Sequence, residues 1–444
     1  MNLPKLWLAF LTLSGVISAG GPDWPRAENH AVTLLQQYVR IKSVNPPADT
    51  SEAARFLQNE LAAYGLDAQL YKPDGNASGK TNLLVRLSGR DHSKRPLLLL
   101  NHMDVVPADA SRWKENPFGG EIKGNEIWGR GTLDMKSTAI MQLTALTLLK
   151  QLGIVPSRDI LFLADCDEES GGAQGASWMI KNHWSELNPE YVLDEGGVGS
   201  FDVYAPGKLV FGVSVADKQV LWLKLRAQGT SGHGSQPIPD NANDMLMQAI
   251  EKAKNFPPSQ KPNPLVANLR SELGEFAPNK FMNAVQQNTL SVTSLRSGVG
   301  DPPKANVIPS LAEATLDCRL LPGQNAAEFV SEIKARINDP RVTIEELSSK
   351  PDDPAPSRTD TPLYKAIQAA IQKENPGATV LPVIVPYGTD GQKFRMKGVP
   401  AYGLIPMVID MTTLATMHSD SERIPLDQFR KGLHTYFEIL QSDF

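Results

Sequence analysis

Residues 96–100 read Pro-Leu-Leu-Leu-Leu, and the run stops at Asn101-His102-Met103-Asp104. An unbroken apolar run of strand length, with no alternation, predicts a strand buried on both faces. Such strands lie inside open α/β sheets, which hold their ligands at the carboxyl ends of the inner strands. His102 stands at that end. Asp104, two residues on, falls on the same face of an extended chain. Its carboxylate can accept the second imidazole N–H, which fixes the tautomer and leaves the other nitrogen for a metal. Taken alone, a His-x-Asp pattern is more often a solvated strand end. Here the same arrangement recurs downstream.

The flanking pattern sets the fold class. Helical spacing marks residues 27–41 and 51–64, and short strands fall at 68–71 and 82–87. A long helix covers 137–152. Strand, helix and strand follow at 159–164, 175–184 and 191–193. This alternation predicts an α/β domain with a mostly parallel central sheet. The pattern then changes. Residues 220–228 (VLWLKLRAQ) alternate strictly, as a half-exposed antiparallel strand does. A helix at 240–254, a Pro-rich irregular stretch at 257–278, strands at 289–295 and 312–320 and a helix at 326–337 follow. The order strand–helix–strand–strand–helix–strand predicts a compact α+β unit of ferredoxin-like type. Helices at 361–373 and 426–440 and strands at 380–385 and 401–404 restore the first pattern. The chain therefore reads as a discontinuous α/β domain, residues 25–216 and 346–444, with an α+β insert at 217–345. The 220–228 strand ends just before a Gly-rich loop holding His233, which predicts a sheet edge that pairs with a second copy of the chain.

With 444 residues, 41% of them hydrophobic, the chain can bury cores for both units. A net charge of −5 gives no reason to expect nucleic acid or an anionic membrane as partner. Residues 1–20 stand apart. Lys5 is their only charge, 6–17 is largely apolar, and Ile17-Ser18-Ala19 puts small residues at a cleavage position. This predicts a signal peptide over 1–19, too short to be a good membrane span, and export to the periplasm or medium. The weakly charged start leaves an uncleaved anchor as the alternative. Cys166 and Cys318 fall in different units and are expected as free buried thiols.

The chemistry lies in acidic clusters that follow apolar strands. Asp134 sits in Gly129-Arg130-Gly131-Thr132-Leu133-Asp134, Glu168 and Glu169 follow Leu161-Phe162-Leu163-Ala164, and Asp194-Glu195 follows Tyr191-Val192-Leu193. His418 lies in a late polar loop. Converging carboxylates repel, and desolvation adds several kcal/mol per ion unless cations compensate. Asp134, Glu169 and Glu195 supply three negative charges, His102 and His418 none. Two divalent ions and one hydroxide bring the sum to zero. Mixed imidazole and carboxylate ligation suits zinc, with cobalt or manganese also open.

HMD at 102–104, GRGTLDMKS at 129–137, DEESGG at 167–172, DEGG at 194–197, GHGSQP at 232–237 and MHSDSE at 417–422 occur in that order. Together they resemble the M20 metallopeptidase family over nearly the whole chain after residue 20. The DEGG segment and the GTDGQKF, GVPAYG and MHSDSE tail are most similar to its aminoacylase and N-acyl-amino-acid hydrolase branch. The resemblance implies a zinc-hydrolase-type catalytic domain with an inserted lid and dimerisation domain. It implies that Asp134 bridges two ions, that His102 and Glu195 complete one site, and that Glu169 and His418 complete the other. Glu168 becomes the general base, with Asp104 orienting His102. His233 is implied to reach a neighbouring subunit's site and stabilise the oxyanion. Asn306 resembles a substrate-carbonyl contact, and Arg319, Gly388 and Thr389 resemble groups that bind a substrate carboxylate. The implied activity is hydrolysis of an amide next to a free carboxylate, in an N-acyl-amino acid or short peptide, by a metal-activated hydroxide. A carboxypeptidase or dipeptidase of the same family is the alternative. A noncatalytic binding homologue is disfavoured, because a pure binding site has no need of a base at Glu168. The other histidines, His30, His92, His183 and His434, are expected to be solvated.

Overall fold

The computed structural model describes residues 21–73, 77–255, 263–347 and 352–444. The expected signal peptide at 1–19 lies outside the described residues. Among those described, no helix is long and apolar enough to cross a membrane.

Eight strands form the central sheet. Across it run Gln69–Tyr71, Asn82–Leu87, Ile160–Asp165, Leu97–His102, Tyr191–Ser200, Ala401–Val408, Val210–Asp217 and Thr379–Val385. Leu97–His102 is parallel to both neighbours, and every one of its residues is buried. That is the position its apolar run demands. The helix Ser137–Leu152 is apolar on all sides and buried from Ser137 to Leu149, because the C-terminal helix Leu426–Gln441 covers it. Helix Trp24–Arg40 carries Pro25 in its first turn, with Asp23 accepting from Arg26 N, and buries Leu34, Leu35, Tyr38 and Val39 as the spacing requires.

Two features of this sheet differ from expectation. The strand expected at 191–193 continues to Ser200, and Val210–Asp217 was not expected at all. The cause is glycine. Gly196, Gly197, Gly199, Gly212 and Gly403 look like loop residues, yet here they let strands approach. A Cβ at Gly197 would lie 2.1 Å from the Gly212 carbonyl oxygen.

The insert carries a four-stranded antiparallel sheet in the order Thr289–Ser297, Leu311–Leu320, Gln219–Gln228, Val342–Glu346. Helices Ala242–Lys254 and Ala326–Ile337 cover one face, around a separate core that includes Leu221, Leu223, Leu225, Leu316 and Ile333. This is the ferredoxin-like strand order. It corrects the expected edge. Gln219–Gln228 is flanked on both sides, so its backbone cannot pair with a second copy. Among the described residues, the edge strands are Thr289–Ser297 and Val342–Glu346. The stretch expected as irregular contains helix Pro264–Leu273, since Pro264 opens a helix capped by Asn263 instead of breaking one. Cys166 and Cys318 are free and buried, as expected.

Candidate metal centre

Ile160–Asp165, Leu97–His102 and Tyr191–Ser200 are consecutive in the sheet, so their carboxyl ends bring side chains together that are far apart in sequence. His102 ends the middle strand. Glu168 and Glu169 form a single 3-10 turn after the first, and Glu195 lies within the third. Asp134 comes from above, just before helix Ser137–Leu152. Gly131 makes the turn that leads to it with φ of +85°, and a Cβ there would meet Val105 at 2.7 Å. His418 arrives on the loop after Met411–Leu414. It has φ of +61°, a left-handed conformation unusual for a side chain of this size.

The five side chains form two clusters that share Asp134. In one, His102 Nε2 lies 3.0 Å from Asp134 Oδ1 and 3.6 Å from Glu195 Oε1. In the other, His418 Nε2 lies 3.0 Å from Asp134 Oδ2 and 3.3 Å from Glu169 Oε1. Each oxygen of Asp134 thus faces one cluster. Glu169 Oε1 is buried and makes no hydrogen bond. Such an orphaned acceptor among imidazoles and carboxylates fits a cation, and a carboxylate turned toward both clusters fits two. Electrostatics agree. Burial pushes the Glu168, Glu169 and Glu195 carboxyls up, with neighbouring acids adding to it. Burial opposes the charge on both histidines, but the carboxylates outweigh it, raising His102 and taking His418 to about 10. Without cations the cluster therefore holds protons, which divalent ions would displace.

The tautomer of His102 is set differently from expectation. Its Nδ1 lies 2.9 Å from the backbone carbonyl oxygen of Asp104, while the nearer carboxylate oxygen of Asp104 is 3.7 Å away. The Asp104 side chain has another task. Its two oxygens accept the backbone N–H groups of Glu168 and Glu169, at 3.2 Å each. Asn45 completes this clamp, donating to Asp104 Oδ2 at 2.7 Å and accepting from Ser170 Oγ at 2.8 Å. Asp167, at φ of +79°, is tied by Lys80 at 2.7 Å. On the other side, Glu422 accepts from the backbone N–H groups of Leu133 and Asp134 and pairs with buried Arg130. Asn45 and Glu422 are missed by sequence reasoning, because each acts only through backbone groups brought to it by the fold. A polar residue before Pro-Pro and an acid closing MHSDSE are the only signals they leave.

The remaining candidates lie apart from the clusters. His233 is exposed on a short ribbon of the insert, Nδ1 2.7 Å from Ser235 Oγ, and pairs in register with Val307. Asn306 is exposed beside it, its carbonyl accepting from Gly234 N. Arg319 is engaged by Asp317 at 2.8 Å. Thr389 donates both its N–H and its hydroxyl to Asp217, which Arg395 also binds. His92, expected as solvated, is exposed beside Asp159, whereas His30, His183 and His434 are half-buried and pair with Glu60, Glu186 and Glu28.

A largely parallel sheet with two histidine–carboxylate clusters at its carboxyl edge defines an α/β metallohydrolase. Residues 98–442 match the model of Peptidase family M20/M25/M40, and the chain belongs to that family. It is a metal-dependent hydrolase of amide bonds. It is 31% identical over 396 residues to "Probable carboxypeptidase S-like 2" of Dictyostelium discoideum, covering 83% of this chain and 75% of that protein. It is 28% identical over 424 residues to Aminoacylase-1A of Rattus norvegicus, covering 94% and 96%. An M20 metallo-carboxypeptidase structure from Sulfolobus solfataricus superimposes with a TM-score of 0.72 at 20% identity, covering 93% of this chain and 98% of that one.

Proposed function

We propose that this protein hydrolyses the amide bond of an N-acyl-amino acid or short peptide next to a free carboxylate, using two divalent ions, zinc foremost. The observation that carries the reading is a carboxylate left uncommitted beside the two clusters. Among the described residues, Glu168 makes hydrogen bonds only through its backbone, its N–H donating to Asp104 and its carbonyl accepting from Gly171 N, and none through its carboxylate. Held by His102, Asp134 and Glu195, and by Asp134, Glu169 and His418, the ions would polarise the scissile carbonyl and acidify a water. Glu168 takes a proton from the attacking water and returns it to the departing amine nitrogen. Burial suits it to this exchange, since a raised carboxyl pKa brings base and acid forms closer in energy at neutral pH. Asp104 and Asn45 hold the turn so that Glu168 and Glu169 point to different tasks. Arg319 and Gly388 are assigned to the substrate carboxylate, Thr389 to holding that turn through Asp217, and Asn306 to the substrate carbonyl. The preference for N-acyl-amino acids over dipeptides draws on the near-complete coverage by Aminoacylase-1A. Parallel assay of N-acetyl-amino acids and dipeptides tests it: a kcat/KM at least tenfold higher for the acylated panel is expected, and the reverse order assigns the chain to dipeptide cleavage.

We also assign the insert, residues 217–345, to pairing with a second copy, and residues 1–19 to export. His233 is exposed and none of its partners belongs to the clusters, which leaves it free to reach a neighbouring site as an oxyanion donor. Inactive His233→Ala and Glu168→Gln proteins, mixed so that subunits exchange, should regain activity. Heterodimers that stay inactive would exclude action in trans.

A further inference from the structure

A cavity of about 320 Å³ opens against the candidate metal centre. His418 forms part of its wall. Tyr387 forms another part and donates its hydroxyl to the carbonyl of Gly196, the residue after Glu195, at 3.0 Å. The cavity therefore touches one cluster through His418, and Tyr387 ties its wall to the strand that carries Glu195. The remaining wall is mostly apolar: Phe281 and Ala284 from the insert helix Lys280–Val285, with Met411, Leu414 and Met417 from the segment that carries His418. The polar wall groups nearest the clusters are already committed, the Tyr387 hydroxyl to Gly196 and His418 Nε2 to carboxylates. Lys280 also lines the cavity but is exposed to solvent; water near the clusters has few partners, so hydrocarbon entering there gains from burial without breaking strong hydrogen bonds.

Resting on the amide-hydrolase reading above, we propose that this cavity receives an unbranched apolar chain attached to the scissile amide, and that it sets the substrate preference. The chain can be carried by the acyl group or by the amino-acid side chain, and the chemistry of recognition is the same. The closing experiment separates the two. One series lengthens the acyl group on glycine from acetyl to octanoyl. The other keeps the acetyl group and lengthens a linear side chain. In one series kcat/KM should rise about fourfold per methylene until the cavity is filled, the factor that corresponds to ~0.8 kcal/mol per buried CH₂. Ala284→Trp, which fills the cavity, should reduce the ratio of long-chain to short-chain kcat/KM at least tenfold. Met411→Gln, which adds no bulk, should lower the same ratio. Calorimetric titration with acetate through octanoate gives a readout that needs no turnover, and affinity should climb with length in the parent and stay flat in Ala284→Trp. Flat length dependence in both series and in the titration overturns the proposal, as does a slope that survives both substitutions. If no acylated substrate is hydrolysed but alkanoate affinity still rises with length, the N-acyl-amino-acid reading fails and the cavity assignment stands.

Discussion

Glu168→Gln is expected to lower kcat by roughly 10²–10⁴-fold while the protein keeps its cations, the range general acid–base catalysis supplies. Glu169→Gln is expected to lose cations. The two residues are adjacent, share one turn and donate their N–H groups to the same carboxylate of Asp104, so a purely local effect would strike both alike. Their side chains differ. Glu169 Oε1 sits 3.3 Å from His418 Nε2 inside a cluster, and a neutral amide there gives up the charge that offsets a divalent ion. The Glu168 side chain makes no hydrogen bond among the described residues, so its replacement leaves both donor sets whole. Equilibrium dialysis with metal analysis, alongside kcat, reads both effects. Asn45→Ala should fall between them. It frees Asp104 from its 2.7 Å partner and loosens the turn, and outer-shell changes of this kind cost on the order of 10–100-fold in metal affinity or activity. If Glu168→Gln emptied a cluster while Glu169→Gln retained its ions, the assignment within the pair would be reversed.

Removing the cations is expected to lower the melting temperature by on the order of 10 °C. A ligand present at about a thousand times its dissociation constant stabilises the folded state by ~4 kcal/mol per site, and each kcal/mol moves the midpoint of a protein this large by a few degrees. The effect has a definite pH sign. In the cation-free protein, Glu168, Glu169 and Glu195 are raised by burial, and the carboxylates raise His102 and His418 against burial. The folded state then binds more protons than the unfolded chain above the ordinary carboxylate range. Stability from these groups is full at low pH and is lost as pH rises toward their raised values. Asp134 is shifted the opposite way, lowered by His102 and His418 against its burial, but its window lies below the ordinary aspartate value and does not enter here. Cation binding exchanges those protons for metal and strengthens with pH. Thermal melts of loaded and chelated protein should therefore separate further between about pH 5 and pH 8. Melts that coincide, or an active metal-free enzyme, would remove the basis for a metal centre in these clusters.

What the chain declares by itself is periodicity and punctuation. Four leucines ending at Asn101-His102 announce a buried inner strand with a ligand at its tip, and the structure puts Leu97–His102 inside the sheet, parallel to both neighbours. Strict alternation in VLWLKLRAQ declares a sheet with one covered face, and the insert supplies it. The acids that follow apolar runs are legible because an acid is costly at a buried strand end unless something compensates it. Tertiary structure decides the rest, because it depends on distances between segments. That Val220–Gln228 would be an interior strand follows from its pairing with both Leu311–Leu320 and Val342–Glu346, and alternation is the same for an edge strand and a central one. Glycines at 196, 197 and 403 look like turns until a neighbouring backbone lies where their Cβ would be, and those at 199 and 212 until the Phe211 and Tyr204 rings do. The expected Asp104–His102 carboxylate contact follows from a two-residue spacing in an ideal strand. In the fold the chain leaves the strand at His102, which turns the Asp104 carbonyl toward the ring and sends its carboxylate to the Glu168–Glu169 turn. Asn45 enters the same clamp from a loop 59 residues earlier in the chain than Asp104. Sequence spacing says which residues can share a face; only the packed chain decides which backbone groups are left for their side chains to hold.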